Sequence, residues 1–323
     1  MDSFPKIVDE REKPLLLVFN TVERAVEAYR KLREERLEAL LLHSRIISGE
    51  RRRREGLFER ENGKVDVVIA TQVVEAGIDF DFKTVVTEVS PIDSLIQRLG
   101  RGARRRDGEA VIFTDLGQAK AVYPESVMKA TLEALDADKL SNSMRDVLKA
   151  SGLVNSVYTH DVVEQLKQEI SSNLKKILAF IKPFTNKMFD RREFYEDEAS
   201  SLLRYSVEVR CILLPQNLYE QALNCAGDGE ILLKPREAVE LFTANSLSIS
   251  LPRRDVEIPA LQHQIGNRKV YLSLSISSKG LMVRKYGRIK DYVRVGQTGH
   301  LTINPNYYEK MGEYHLGLVK PYG

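Results

Sequence analysis

Residues 69–106 read IATQVVEAGIDFDFKTVVTEVSPIDSLIQRLGRGARRR, and the order of elements within this run decides the fold. Val65 to Ala70 (VDVVIA) has the continuous apolar character of a strand buried on both faces, and Thr71 to Phe82 leaves it as a loop containing a glycine and aspartates. Thr84 to Val89 is a second β-branched run, followed by an expected helix over 92–104. At roughly 100° per residue, Gln97, Arg101 and Arg104 of that helix share a narrow sector, while Ile92, Leu95, Ile96 and Leu99 gather opposite. Docking the apolar side on a core would aim two guanidinium forks and an amide outward in a fixed direction. That arrangement suits a triphosphate; a solvated basic helix end is the competing account.

Upstream, Leu15 to Phe19 (LLLVF) reads as a strand and Val22 to Arg36 as an amphipathic helix, with Asn20-Thr21 between them. Ala39 to Leu42 is another strand, ending in His43-Ser44-Arg45, and a charged helix runs from Ser48 to about Arg60. Residues 110–114 (AVIFT) close the series. Strands alternating with helices predict an α/β fold with a parallel sheet, whose ligands lie beyond the carboxyl ends of the strands. Asn20, Thr21, Ser44, Arg45, Thr71 and Gln72 all follow strands on that rim. Thr21 and Thr71 serve equally well as helix caps, and Arg51 to Arg54 reads as a solvated face. The expected organisation is therefore a parallel-sheet lobe over 1–120, a polar helical connector over 121–198 and a small β-rich accessory domain over 199–323. Its strands are expected at 205–214, 230–233, 246–251, 269–275, 281–286 and 314–319.

With 43% hydrophobic and 29% charged residues in 323, the chain has ordinary globular composition. No apolar run approaches the ~20 residues of a membrane span, and the polar start Met1 to Lys13 is unlike a signal peptide, so a cytoplasmic protein with no membrane partner is expected. The net charge of +3 is carried by the C-terminal third, although the densest arginine runs lie in the neutral first part. Cys211 and Cys225 cannot make a zinc site by themselves. His160-Asp161 is the one His-Asp pair and reads as a helix start, so no metal centre is expected. Arg284 to Arg294 (RKYGRIKDYVR) mixes bases with aromatics, the composition of a nucleic-acid patch or of a solvated hairpin.

These strings resemble the motifs of superfamily 2 helicases. VIATQVVEAGIDFDF looks like motif V, QRLGRGAR fits the motif VI pattern Q-R-x-G-R-x-x-R, and LVFNT and LLHSR resemble motifs IV and IVa. TQVVEAGIDFDF and SPIDSLIQRLGR are most similar to the helicase of type I CRISPR interference, the helicase-nuclease recruited by the Cascade complex. The resemblance spans about residues 13–116 and implies a RecA-like second lobe. It further implies that Arg101 and Arg104 are arginine fingers on the γ-phosphate of ATP, that Gln97 orients that phosphate or the attacking water, and that Gly77 and Asp79 approach the nucleotide. Gly77 and Asp79 are equally a turn glycine with its Asx partner. By the same resemblance Asn20, Thr21, Ser44, Arg45, Thr71 and Gln72 touch the backbone of single-stranded DNA, and Arg98, off the finger face, is expected to serve structure.

No G-x-x-x-x-G-K-[ST] loop occurs in the sequence, and no buried strand is followed by Asp-Glu-x-His or Asp-Glu-x-Asp. ATP with Mg2+ is thus expected to be held mainly by a first helicase lobe carrying the phosphate loop, and the chain alone is expected to be inactive. The Cascade complex and an HD nuclease are the further partners implied. The second lobe of another superfamily 2 helicase and a non-catalytic nucleic-acid or protein adaptor are the alternatives.

Overall fold

A computed structural model describes residues 4–60, 65–75, 81–102, 107–117, 119–181, 206–225, 228–252, 257–294 and 299–322. The chain packs as two compact units. One gathers the chain up to His43 and from Arg54 through the helices ending at Ile181; the other gathers Ser44–Arg53 with the chain from Ser206 onward.

The first unit is built on strands β1 (Leu15–Val18), β2 (Leu40–Leu42), β3 (Val67–Ala70), β4 (Thr84–Glu88) and β5 (Glu109–Phe113), ordered β2-β3-β1-β4-β5 and parallel throughout. β1, β3 and β4 are buried at every position, as their unbroken apolar and β-branched runs require of strands covered on both faces. Helix α1 (Phe4–Asp9) precedes the sheet, α2 (Val22–Glu34) links β1 to β2 and buries Val22, Ala25, Val26, Tyr29 and Leu32. Thr21 caps α2 by accepting from the Arg24 backbone N–H at 3.4 Å. After β3, residues 72–74 make one 3₁₀ turn.

Helix α3 (Ser48–Arg60) follows β2, and α4 (Ile92–Leu99) follows β4. The latter is shorter than the sequence predicts. Gly100 ends it, and at Gly102 the chain bridges Phe82, just before β4, in parallel. A Cβ at Gly102 would stand 2.7 Å from Val85 Cγ2, so only glycine lets the backbone approach β4 this closely. Arg101 therefore lies on a turn past the helix that carries Gln97, where the sequence predicts a single helix over 92–104; Arg104 lies outside the described residues.

Five further helices follow, Ala119–Val122, Glu125–Ala134, Ala137–Ser143, Val147–Val157 and His160–Ile181. Leu140, Leu153 and Val157 from these helices share one apolar core with Leu16, Val68, Leu95 and Leu99 of the sheet and α4. The Tyr158 hydroxyl donates to Asp93 at 2.8 Å, fixing the start of α4.

The second unit holds a mixed sheet of β6 (Ser206–Ile212), β7 (Gly229–Leu232), β8 (Ser246–Pro252), β10 (Arg268–Ser277), β11 (Gly280–Tyr286) and β12 (His300–Thr302), in the order β7-β11-β10-β12-β6-β8, with β9 (Gln262–Ile265) also paired to β10. A small hairpin of β13 (Glu309–Met311) and β14 (Tyr314–Gly317) stands apart from that sheet. The six strands expected from the sequence are present with shifted ends, and helices Gln216–Asn224, Pro235–Asn245 and Ile289–Arg294 lie among them. Ser44–Arg53 is bound into this unit: Arg45 donates to the Val319 carbonyl at 3.1 Å, and Ser48 Oγ and Arg52 Nη2 both donate to the Thr243 carbonyl at 2.6 and 2.7 Å.

Candidate functional site

In the order β2-β3-β1-β4-β5, the chain leaves β1 toward one edge of the sheet and β4 toward the other. The crevice beyond the carboxyl ends of these two strands is the topological switch point, where ligands of open parallel sheets gather. A dense polar network fills its floor, centred on Arg98, which is wholly buried. Arg98 Nε donates to Glu75 Oε1 at 2.8 Å, Nη1 to Asn20 Oδ1 at 3.0 Å and to Thr87 Oγ1 and the Glu88 carbonyl at 3.2 Å, and Nη2 to the Tyr123 hydroxyl at 2.9 Å. Such charge-assisted bonds to a planar fork hold their partners in one geometry.

The remaining members close the network. Glu88 ends β4, accepts from the Asn20 backbone N–H at 2.7 Å and pairs with Arg24 of α2. Asn20 Nδ2 donates to the Val89 carbonyl at 2.9 Å. Gln72 Nε2 reaches the Asn20 carbonyl at 2.9 Å and the Tyr123 hydroxyl at 3.1 Å. Arg98 and Arg24 are matched by Glu75 and Glu88, so two cations meet two carboxylates and the buried charge is balanced. Burial pushes the Tyr123 phenol up against the opposing pull of Arg98, which keeps it protonated at neutral pH.

Glu75 has two roles. Its carboxylate receives Arg98, and its carbonyl oxygen receives the guanidinium of Arg101. The loop after β3 and the turn after α4 are thereby joined through one residue. Gln97 is exposed on α4, one turn before Arg101. Thr71 is 3% exposed, its N–H bound to the Leu42 carbonyl at 3.3 Å.

The expected site residues thus fall into separate places. Arg101 lies past α4, its carbonyl bound by the N–H of Phe82, which precedes β4, and its guanidinium on the Glu75 carbonyl, with Gln97 exposed one turn earlier; Asn20 and Gln72 turn their side-chain amides into the network and Thr71 binds the Leu42 carbonyl through its N–H. Ser44 and Arg45 cluster with the second unit. Gly77, Asp79 and Arg104 lie outside the described residues. Glu75, Glu88, Arg24 and Tyr123 were not singled out by the sequence, although a glutamate closing the buried strand TVVTE is a signal that some cation must meet it.

In the basic segment 284–294, Tyr292 is a core residue and Tyr286 packs against that core half-buried. Tyr292 is 1% exposed and meets the half-buried Tyr286 edge-on with ring centroids 5.7 Å apart, so the Tyr292 ring is not presented for base stacking. Lys285 donates to the Leu223 and Cys225 carbonyls, and Arg288 pairs with Asp291 at 3.2 Å. Among the described residues no group of three or more His, Cys, Asp or Glu is placed to hold a metal, and no helix is long and apolar enough to cross a membrane.

Residues 11–107 match the family described as CRISPR-associated nuclease/helicase Cas3, C-terminal. Over 183 residues the chain is 32% identical to the CRISPR-associated nuclease/helicase Cas3 of Methanothermobacter thermautotrophicus, a match covering 53% of this chain and 22% of the relative. Over 160 residues it is 35% identical to the CRISPR-associated helicase Cas3 of Thermoproteus tenax, covering 48% of this chain and 27% of the relative. The chain therefore spans about a quarter of the length of these curated relatives. Among solved structures, T. fusca Cas3 with ADP superposes with a TM-score of 0.50 at 18% identity, over 87% of this chain and 40% of the other. A chain from a CRISPR RNA-guided surveillance complex, pre-nicking, superposes with a TM-score of 0.50 at 17% identity, over 83% of this chain and 40% of the other. At such identity these superpositions speak to the fold alone.

Proposed function

We propose, from the match of residues 11–107 to the Cas3 C-terminal family, that the chain supplies the second motor lobe and accessory domain of an ATP-dependent translocase on single-stranded DNA in type I CRISPR interference. The observation that carries the reading is the anchoring of Arg101 on the carbonyl of Glu75, the residue whose carboxylate holds Arg98 of the switch-point network, with Gln97 exposed one turn earlier. In phosphoryl transfer, negative charge spreads over the equatorial oxygens, and a guanidinium already in place stabilises it without reorganising. Arg101 and Arg104 are the fingers in this reading, Gln97 orients the γ-phosphate or the water, and Gly77 with Asp79 meets the nucleotide.

Of the described carboxylates in this network, Glu75 and Glu88 are both paired with arginine. In this reading, because the sequence carries no phosphate-loop motif, Mg2+ and the phosphate loop belong to a first lobe, on the same polypeptide or another. The DNA backbone contacts in this reading fall to Asn20, Thr21, Thr71 and Gln72 of the first unit and, separately, to Ser44 and Arg45 of the second. Lobe closure on ATP and reopening after hydrolysis would move the strand. A Cascade-type complex and an HD nuclease are the partners that fit.

The test mixes the full chain with a lobe bearing the phosphate loop and measures ATP hydrolysis with and without single-stranded DNA. The chain alone is expected to hydrolyse none, and the mixture to show DNA-stimulated turnover. A finger contributes ~10³ to 10⁵ in rate, so the Arg101→Ala, Arg104→Ala pair should lower kcat by at least ~10³. Undiminished turnover in that variant would remove the finger assignment.

A further inference from the structure

We propose that Tyr123 is a positioning residue for Arg101, acting through Arg98 and Glu75. The inference rests on the reading of Arg101 as a finger for its catalytic consequence, and on geometry alone for the positioning itself. Tyr123 lies outside residues 11–107, just after the helix Ala119–Val122, and no motif of the sequence includes it. Its hydroxyl accepts from Arg98 Nη2 at 2.9 Å and from Gln72 Nε2 at 3.1 Å, so it clamps the arginine from α4 and the first residue of the 3₁₀ turn after β3. The other end of the same guanidinium holds Glu75, the residue just past that turn, at 2.8 Å. The Glu75 carbonyl then receives Arg101. Residues 72 and 75, at the two ends of the turn that leaves β3, are thus fastened to one buried plane, and Arg101 is fastened to the turn. The ring of Tyr123 packs beside Val89, Ala119 and Met128, so its aromatic body and its hydroxyl have separable tasks.

Tyr123→Phe keeps the ring and removes the clamp. Arg98 Nη2 and Gln72 Nε2 lose a shared acceptor, the turn gains freedom, and the carbonyl that aims Arg101 moves with it. Misplacement of a catalytic group by about 1 Å costs on the order of 10²-fold, and partial loosening should cost about ten-fold.

Two measurements decide the proposal. The first uses the full chain alone: arginine modification by phenylglyoxal, followed residue by residue by peptide mass spectrometry, with buried Arg54 of the same unit as internal reference. Tyr123→Phe should raise the Arg101 rate several-fold and leave Arg54 unchanged. An unchanged Arg101 rate, or equal acceleration at Arg54, would overturn positioning in favour of general loosening. The second is a double-mutant cycle on the ATPase assembly, in which Tyr123→Phe should lower kcat about ten-fold at constant KM for ATP in the wild-type background and have no effect on top of Arg101→Ala. If Arg101→Ala lowers kcat and Tyr123→Phe multiplies that loss, Tyr123 does not act through Arg101 and this proposal alone fails. If Arg101→Ala changes nothing, the finger reading fails and takes the catalytic part of this proposal with it, while the modification rates still judge the geometry.

Discussion

An arginine with no exposed surface must find acceptors inside the protein, because an unpaired buried charge costs far more than a hydrogen bond returns. Arg98 finds five, drawn from β4, the loop after β1, the turn after β3 and Tyr123. Deleting it leaves the Glu75 carboxylate and Asn20 Oδ1 without the guanidinium that both accept from. Arg98→Ala should destabilise the first unit by about 3–5 kcal/mol, the range for breaking a buried pair from one side. Urea midpoints at constant slope are the measurement. Arg98→Lys should recover only part of the loss, since one ammonium cannot reach acceptors spread around a planar fork. A loss under about 1 kcal/mol in the alanine variant would mean that the network is dispensable to the fold. The sequence reading separates Arg98 from Arg101 on helical phase alone; the separation survives, but for a different reason, since Arg98 is on the helix and Arg101 is past its end.

At the scale of elements, the junction between α4 and β4 sets where Arg101 can be. Gly102 bridges Phe82, the Phe82 N–H binds the Arg101 carbonyl at 3.0 Å, and Val85 of β4 stands in the space a side chain at 102 would need. Valine in a strand has little rotamer freedom to yield. Gly102→Ala should therefore cost about 1–3 kcal/mol by overpacking, read as a lowered urea midpoint, and an unchanged midpoint would show that the bridge gives way freely. Much of the first unit's element order was legible because each strand is a continuous apolar run and each helix has a charged outer face. LLLV, VVIA and TVVTE are buried throughout, as such runs require. The end of α4 was not legible: periodicity runs on through Gly100, and only the close approach to Val85 shows why the helix cannot. Asn20 and Gln72 were legible as rim residues by their place after strands, but their inward hydrogen bonds depend on Tyr123 and Glu88, distant in sequence. In the second unit the helices 216–224 and 235–245 were hidden between strand-like runs, and the binding of Ser44–Arg53 into that unit left no local signal.

At the scale of the whole molecule, the two units have separate apolar cores, one built on Leu16, Val68 and Leu95, the others on Val209, Tyr271 and Leu301 and on Leu272, Leu274 and Val283. Separate cores give each unit its own response to solvent conditions, and His263 makes the second unit sensitive to acid. Its Nε2–H donates to the Thr302 carbonyl at 3.0 Å and its Nδ1 accepts from the Tyr219 hydroxyl at 2.9 Å, a tautomer assigned from these partners. Burial, opposed by the bond to Thr302, lowers its pKa from 6.5 to about 4. His300 is lowered too, by burial and by Arg210. A histidine held below its unfolded value takes up its proton more readily when unfolded, so its contribution is complete above pH 6.5 and is lost as pH falls toward 4. For His263 the loss is about 3 kcal/mol. Hydrogen exchange of β10 peptides across a urea series should show the second unit's midpoint falling through this window. His263→Gln, which retains a donor and an acceptor but cannot titrate, should flatten the dependence to the smaller share left by His300. A midpoint that falls as steeply in His263→Gln as in the wild-type chain would place the acid sensitivity elsewhere.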